Sequence, residues 1–95
     1  MVKRIVSPKQ PEVSHLIREL RNLTGLSQEQ FAATLGVAFS TINRWENGHI
    51  QPSSLALKQI KAMLCELNLS PQVEFQQQSR TLLDQYFSEV ESREQ

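Results

Sequence analysis

The sequence predicts an all-α fold of five helices, and three observations lead to that prediction. Apolar residues recur at the i, i+3, i+4 and i+7 spacing of a helix face in successive segments. Ser and Pro residues that favour helix starts precede several of these segments, and Gly residues that favour helix ends follow some of them. At 95 residues the chain has the usual size of one domain, so the helices are expected to share one core.

The first helix is predicted to begin at Pro11, because proline suits the first helical position. It is predicted to end near Thr24 and Gly25, since a glycine that accepts a positive φ closes a helix at low cost. Its apolar face comprises Val13, Leu16, Ile17, Leu20 and Leu23.

The second helix has the clearest start signal in the chain. Ser27 followed three residues later by Gln30 is the pattern of a capping box, in which each residue satisfies a backbone donor of the other. Leu26 and Phe31 stand at the two positions of a hydrophobic staple around that cap. The helix is predicted to stop at Gly36, so a tight turn follows it.

The third helix is predicted over residues 39–46, with Asn47 and Gly48 ending it. Ile42 and Trp45 are three residues apart and define its inward face. Ser40, Asn43 and Arg44 are therefore predicted on its outward face. Ala38 occupies the cap position, where it cannot offer the side-chain oxygen that Ser or Thr would.

The fourth helix is predicted to open at Pro52, Ser53 and Ser54, and its core stripe comprises Leu57, Ile60, Leu64 and Leu67, with Met63 beside it. The residues that interrupt the pattern after it are Asn68, Ser70 and Pro71. A fifth amphipathic helix is predicted beyond them from the apolar residues Phe75, Leu82, Leu83, Tyr86, Phe87 and Val90.

The chain therefore divides into three parts: a flexible basic arm over 1–10, a domain over 11–70, and an acidic amphipathic helix over 71–95. Residues 1–70 have eight basic and five acidic side chains, a formal charge of +3, whereas residues 71–95 have two and five, or −3. Such a split is expected when one end of a protein faces nucleic acid and the other faces a partner or solvent.

Several classes of protein are excluded by what the sequence lacks. No apolar run approaches the length of a membrane span, and the basic start MVKRIV has no apolar stretch behind it, so we expect a cytoplasmic protein. Paired carboxylates, a nucleophile with its base and a Gly-rich phosphate loop are all missing, so we expect neither an enzyme nor a cofactor.

Metal binding is not expected either. His15 and His49 have no Cys or carboxylate at a metal-ligand spacing and are expected on the surface. The single Cys65 cannot form an internal disulfide, which fits a reducing compartment, and we expect it to be a small buried apolar residue.

The stretch RELRNLTGLSQEQFAATLGVAFSTINRWENG resembles the Cro and phage-repressor, or XRE-type, helix-turn-helix family, and the resemblance extends over roughly residues 12–68. It implies a five-helix bundle of the lambda-repressor-like type, whose third helix lies in the major groove of DNA. The base-reading residues that the family implies are Phe39, Ser40, Thr41, Asn43 and Arg44. The family also implies that Gln28 binds a phosphate and supports a neighbouring reader, and that Arg21 and Glu46 form a buried ion pair.

The chemistry of these side chains suits such roles. Arg44 can donate two hydrogen bonds to guanine, Asn43 can pair with adenine, and Phe39 can pack on a thymine methyl group. Backbone N–H groups at the helix starts near Gln28 and Ser53 can bind phosphates. Further phosphate or minor-groove contacts are expected from the basic residues of the arm, Lys3, Arg4 and Lys9.

We therefore expect a bacterial, phage or plasmid transcriptional regulator, a repressor, that binds specific double-stranded DNA as a homodimer. Two alternatives remain open. The first is an antitoxin whose segment 71–95 binds a toxin, and the second is an adaptor that has kept the fold and lost DNA binding, which the zero net charge favours. The apolar residues of segment 71–95 fit either a core packed within the chain or a seam with another protein.

Overall fold

The computed structural model describes residues 2–5, 8–87 and 89–92, and within them it contains five helices and two short strands. The helices are α1 Glu12–Thr24, α2 Gln28–Leu35, α3 Phe39–Glu46, α4 Ser54–Asn68 and α5 Val73–Tyr86. The strands are β1 Val2–Ile5 and β2 Glu89–Ser92. The predicted all-α bundle of five helices is confirmed, and the strands are an addition to it.

Helix α1 begins one residue later than predicted, because Pro11 stands at the cap. Val13, Leu16, Ile17 and Leu20 are fully buried and form one wall of the core. Gly25 closes the helix with φ +74°, and its N–H donates to the carbonyl oxygen of Arg21. The glycine is required here because a side chain at this φ would be strained.

Helices α2 and α3 form the tight pair that the sequence predicts. The Ser27 hydroxyl accepts from the N–H of Gln30 at 3.1 Å, and the Gln30 side chain accepts from the N–H of Ser27 at 2.9 Å, which completes the capping box. Gly36, with φ +71°, reverses the chain between the two helices. Phe31 from α2 and Ile42 from α3 are fully buried between them.

Helices α4 and α5 close the core. Ser53 caps α4 by accepting from the N–H of Ala56 at 3.1 Å, and Leu57, Ile60 and Leu64 are buried on its inner face. Helix α5 packs on α4 and α1 through side chains that are likewise buried, namely Leu82, Tyr86 and, just after the helix, Phe87. The apolar residues of the C-terminal segment are therefore mainly core of this chain.

The predicted C-terminal helix over 71–95 is wrong at residue 87 and at residues 89–92, because the chain leaves helical geometry at Phe87 and residues 89–92 form β2. The remaining residues of that predicted helix, 88 and 93–95, lie outside the described residues. The predicted flexible arm likewise contains β1, which pairs antiparallel with β2 in a register that runs from Val2 opposite Ser92 to Ile5 opposite Glu89. Pairing satisfies backbone N–H and C=O groups of both segments, which neither segment can do alone as a strand.

The expectation that Cys65 is buried is also wrong, since the residue is exposed. It follows Leu64 by one residue and therefore points about 100° away from the buried stripe of α4.

The helix caps give a direct test of these local signals. Ala38 precedes α3 with extended φ and ψ and makes no side-chain cap. Ala38→Ser is expected to raise the free energy of unfolding by about 1 kcal/mol, whereas Ser27→Ala is expected to lower it by a similar amount, of order 1 kcal/mol. Urea denaturation followed by circular dichroism measures both. Equal stabilities of the two variants would contradict the capping assignment.

Candidate nucleic-acid interface

The side chains of α3 divide between two faces. Ile42 and Trp45 are buried, whereas Ser40 and Arg44 are exposed and Phe39 keeps 47 % of its surface accessible. Thr41 and Asn43 are half-buried at the margin between the faces. The five residues predicted to read bases thus all lie on α3, with Phe39, Ser40 and Arg44 the most accessible.

The C-terminal end of α3 is held by a buried carboxylate. Glu46 is only 4 % exposed, and its Oε2 accepts from Nε of Arg21 at 2.5 Å while its Oε1 accepts from Nη2 of Arg21 at 3.0 Å. Oε1 also accepts from the side-chain amide of Gln28 at 3.1 Å. Because Arg21 belongs to α1 and Gln28 to α2, one carboxylate fixes three helices relative to one another.

Two arginines of α1 are engaged at this site. Arg21 donates a further hydrogen bond, from Nη1 to the carbonyl oxygen of Leu26 at 3.1 Å. Arg18, which the sequence did not single out, donates from Nη2 to the backbone carbonyl oxygen of Glu46 at 2.8 Å. Its position three residues before Arg21, on the same face of α1, is the signal that would have found it. Both guanidinium groups therefore stabilise the end of α3.

Burial and the surrounding hydrogen bonds have opposite effects on the pKa of Glu46. Burial favours the neutral acid and raises the pKa, but hydrogen bonds from Arg21 and Gln28 and the nearby positive charges outweigh burial and hold the pKa below its ordinary value of 4.5. The hydrogen bond to Glu46 correspondingly raises the pKa of Arg21. The pair is thus ionised at neutral pH.

A chain of amide side chains leads from Glu46 to the outward face of α3. The Oε1 atom of Gln28 accepts from Nδ2 of Asn43 at 3.5 Å, and Oδ1 of Asn43 accepts from Nδ2 of Asn47 at 2.8 Å. The orientation of the Asn43 amide is therefore set from both sides. Asn47 was expected only to end the helix, and its position four residues after Asn43 is the signal for this second role.

The predicted phosphate contacts at helix starts have different surroundings. Gln28 is the first residue of α2, but its side chain turns back to Glu46 and Asn43. The Ser53 hydroxyl caps α4, so the backbone N–H groups of the first turn, at Ser54 and Leu55, are the donors that this helix end offers.

The predicted basic arm is partly anchored. The Gln10 side chain donates to the carbonyl oxygens of Trp45 at 2.9 Å and Ile50 at 2.8 Å, and the Gln51 side chain donates to that of Pro8 at 3.1 Å. The exposed Lys9 thus stands beside the loop that follows α3. The backbone N–H of Gln10 donates to Oε1 of Gln51 at 2.8 Å, although the two residues are 41 positions apart in sequence. Because no local sequence pattern predicts such a distant contact, the roles of Gln10 and Gln51 could not be predicted.

The other two arm residues, Lys3 and Arg4, belong to β1. The register places Lys3 opposite Glu91 and Arg4 opposite Val90.

Other kinds of site find little support in the part of the chain that is described. His15 and His49 are exposed, and no group of three His, Cys, Asp or Glu side chains there is placed to bind a metal ion. None of the five helices combines the length and apolar character needed to cross a bilayer.

Removal of the buried charge is expected to change stability in a pH-dependent way. Because the folded protein holds the pKa of Glu46 below 4.5, this group stabilises the fold above about pH 4.5, and that contribution is lost as the pH falls through the folded-state value. Glu46→Gln is expected to lower the free energy of unfolding by about 2–3 kcal/mol at pH 7 and by less below pH ~4.

Urea denaturation at a series of pH values measures this difference, and Glu29→Gln, on the exposed side of α2, is the matched control. The control is expected to leave stability nearly unchanged. A Glu46→Gln protein as stable as the parent at pH 7, or a difference that grows as the pH falls, would contradict the account.

Comparisons with known proteins agree with this geometry. The family model described as Helix-turn-helix matches residues 17–73, which include all of the α2–α3 pair and both ends of the Arg21–Glu46 ion pair. The proteins named Uncharacterized HTH-type transcriptional regulator YiaG from Escherichia coli K12 and from Escherichia coli O157:H7 are each 37 % identical over 57 residues, which cover 60 % of this chain and 59 % of theirs. No solved structure matches the chain. With more than half of its length matched by the family model, the chain belongs to the helix-turn-helix family, of the XRE type.

Proposed function

We propose that this protein is a transcriptional regulator that binds a specific double-stranded DNA site, and that it acts as a repressor and as a homodimer. The observation that carries the proposal is the outward face of α3, whose polar side chains stand on a helix locked to α1 and α2 by Glu46. A rigid helix with exposed donors suits the major groove. The relatives that match residues of this domain are named as transcriptional regulators, which supports the same function.

Arg44 and Asn43 are the proposed principal readers. Arg44 is exposed and can place two donors against O6 and N7 of guanine. Asn43 uses one N–H toward Gln28 and one lone pair toward Asn47, so it keeps one donor and one acceptor. That remaining pair is what a bidentate contact with adenine requires. Phe39 would contact a thymine methyl group, with Ser40 and Thr41 adjacent.

The phosphate contacts are proposed at the starts of α2 and α4 and in the arm. The N–H groups at the start of α4, next to Ser53, form a positive helix end for one phosphate. Gln28 has a second amide N–H beyond the one that it donates to Glu46, and this hydrogen would bind another. Lys9, on its anchored segment, and Lys3 and Arg4 would add salt-dependent contacts.

A homodimer would place two copies of α3 roughly 34 Å apart, one turn of DNA, on a palindromic site. Occupying that site would block transcription when the site overlaps a promoter. The proposed place of action is the cytoplasm, where bacterial DNA lies.

The antitoxin alternative receives less support from the fold. It needs an apolar surface on 71–95 for a toxin, but Leu82, Tyr86 and Phe87 are buried against the rest of the chain. The adaptor alternative would leave Arg44 without a role on the exposed face of α3. Sequence-specific DNA binding gives the exposed Arg44 a role and needs no apolar surface on 71–95. Co-purification of a small partner protein would favour the antitoxin instead.

Selection of duplexes from genomic fragments by the purified protein tests the proposal. The parent protein is expected to enrich one palindromic site, and Arg44→Ala is expected to lose about 1–3 kcal/mol of discrimination at one base position per half-site. Arg80→Ala removes the same charge from the exposed side of α5 and is expected to leave the selected sequence unchanged. No enrichment at low salt, or equal losses in both variants, would overturn the proposal.

Asn47 provides a second, independent test of the readout. Asn47→Ala removes the hydrogen bond to Oδ1 of Asn43 and frees the Asn43 amide to rotate. Discrimination at the base read by Asn43 is expected to fall several-fold, while the position read by Arg44 keeps its preference. Competition binding with single-base variants of the selected site measures both. A uniform loss at all positions would show that Asn47 acts only on overall affinity.

A further inference from the structure

Helix α4 has an outward face that the core does not use. Its inner face buries Leu57, Ile60 and Leu64, and its outer residues are exposed, with Leu55 at 68 % and Leu69, which follows the helix, at 82 %. The exposed residues of this outer face are Leu55, Lys58, Gln59, Ala62, Cys65, Glu66 and Leu69. At 100° per residue they span about 120° of the helix surface.

The apolar members of this outer face are regularly spaced. Leu55, Ala62 and Leu69 are seven residues apart, so they lie in one line along the helix. Leu69 continues the line because its backbone is still right-handed helical. An exposed line of apolar residues at heptad spacing is the pattern of a helix that packs against another helix.

The outer face is complementary to itself. When two copies of α4 run antiparallel about a two-fold axis at Ala62, each residue stands level with the one equally far on the other side of 62. Leu55 then meets Leu69 of the second copy, and Lys58 meets Glu66 of the second copy. Ala62 faces its own equivalent, and its small side chain allows close approach of the helices.

We propose that this outer face of α4 is the surface through which two copies of the chain associate, antiparallel and with the two-fold axis at Ala62. The occupant is a second copy because the apolar and charged positions match in a single symmetric register, which an unrelated partner would not require. The proposal deepens the homodimer part of the proposed function and rests on it for its biological role. A two-fold axis is also the symmetry of a palindromic DNA site.

The interface is small. Seven residues on each side are fewer than the roughly 20–30 that stable complexes bury, so the dimer is expected to be weak, with a Kd in the micromolar range without DNA. Two half-sites on one duplex would then strengthen it by holding both copies together.

Charge exchange at the paired positions tests the register. Sedimentation of the parent protein without DNA at up to roughly 0.1 mM is expected to show a monomer–dimer equilibrium. Lys58→Glu and Glu66→Lys each set like charges against each other twice and are expected to weaken association about tenfold. The double variant K58E/E66K restores opposite charges and is expected to return the parent Kd within about twofold.

Lys61→Glu changes the same charge on the same helix but off the outer face, and it is expected to leave the Kd close to that of the parent. Ala62→Arg places a charge on the axis and is expected to abolish the dimer. A monomeric parent protein, single variants that associate as the parent does, or a double variant that stays as weak as the single ones would each overturn the proposal. Because the measurement contains no DNA, its outcome is separate from that of the duplex selection.

Discussion

Burial of one carboxylate, that of Glu46, is the constraint on which the orientation of α3 and its exposed face depends. An ionised group that is almost fully buried must be paired and hydrogen-bonded, or the fold loses several kcal/mol. Arg21 supplies two donors from α1 and Gln28 supplies a third from α2, so α3 cannot rotate without breaking them. The hydrophobic core brings the three helices together, and this polar site determines how α3 is oriented.

Glu46 also affects the exposed face of α3, through the hydrogen bonds that link it to Gln28, Asn43 and Asn47. A side chain that reads a base gains specificity when its rotamer is held before DNA arrives, because less conformational entropy is then lost on binding. Asn43 is held in this way, whereas the exposed Arg44 keeps its freedom and would lose more entropy on contact. The loop after α3 is held separately by Gln10, which donates to the carbonyl oxygens of Trp45 and Ile50.

Local signals were sufficient for much of this structure. Ser27 and Ser53 predict the starts of α2 and α4, and Gly25 and Gly36 predict the ends of α1 and α2, because caps and left-handed glycines act within a few residues of themselves. The features that escaped prediction join distant positions: β1 pairs with β2 across the whole chain, and Gln10 contacts Gln51. Glu89 and Glu91 alternate with Val90 and Ser92, but this short pattern alone does not predict a strand. Residues 89–92 form a strand because they pair with β1. Within the candidate site, family resemblance indicated Arg21 and Glu46, while Arg18 and Asn47 emerged only from the geometry.

Methylation interference on a selected duplex is the most direct test of the proposed contact between Arg44 of α3 and a guanine in the major groove. A methyl group on N7 of guanine occupies the acceptor that Arg44 would use. Methylation of one guanine per half-site is expected to block binding of the parent protein and to have little effect on the already weakened binding of Arg44→Ala. Binding that tolerates methylation at every guanine, or an Arg44→Ala protein with the same interference pattern as the parent, would contradict it.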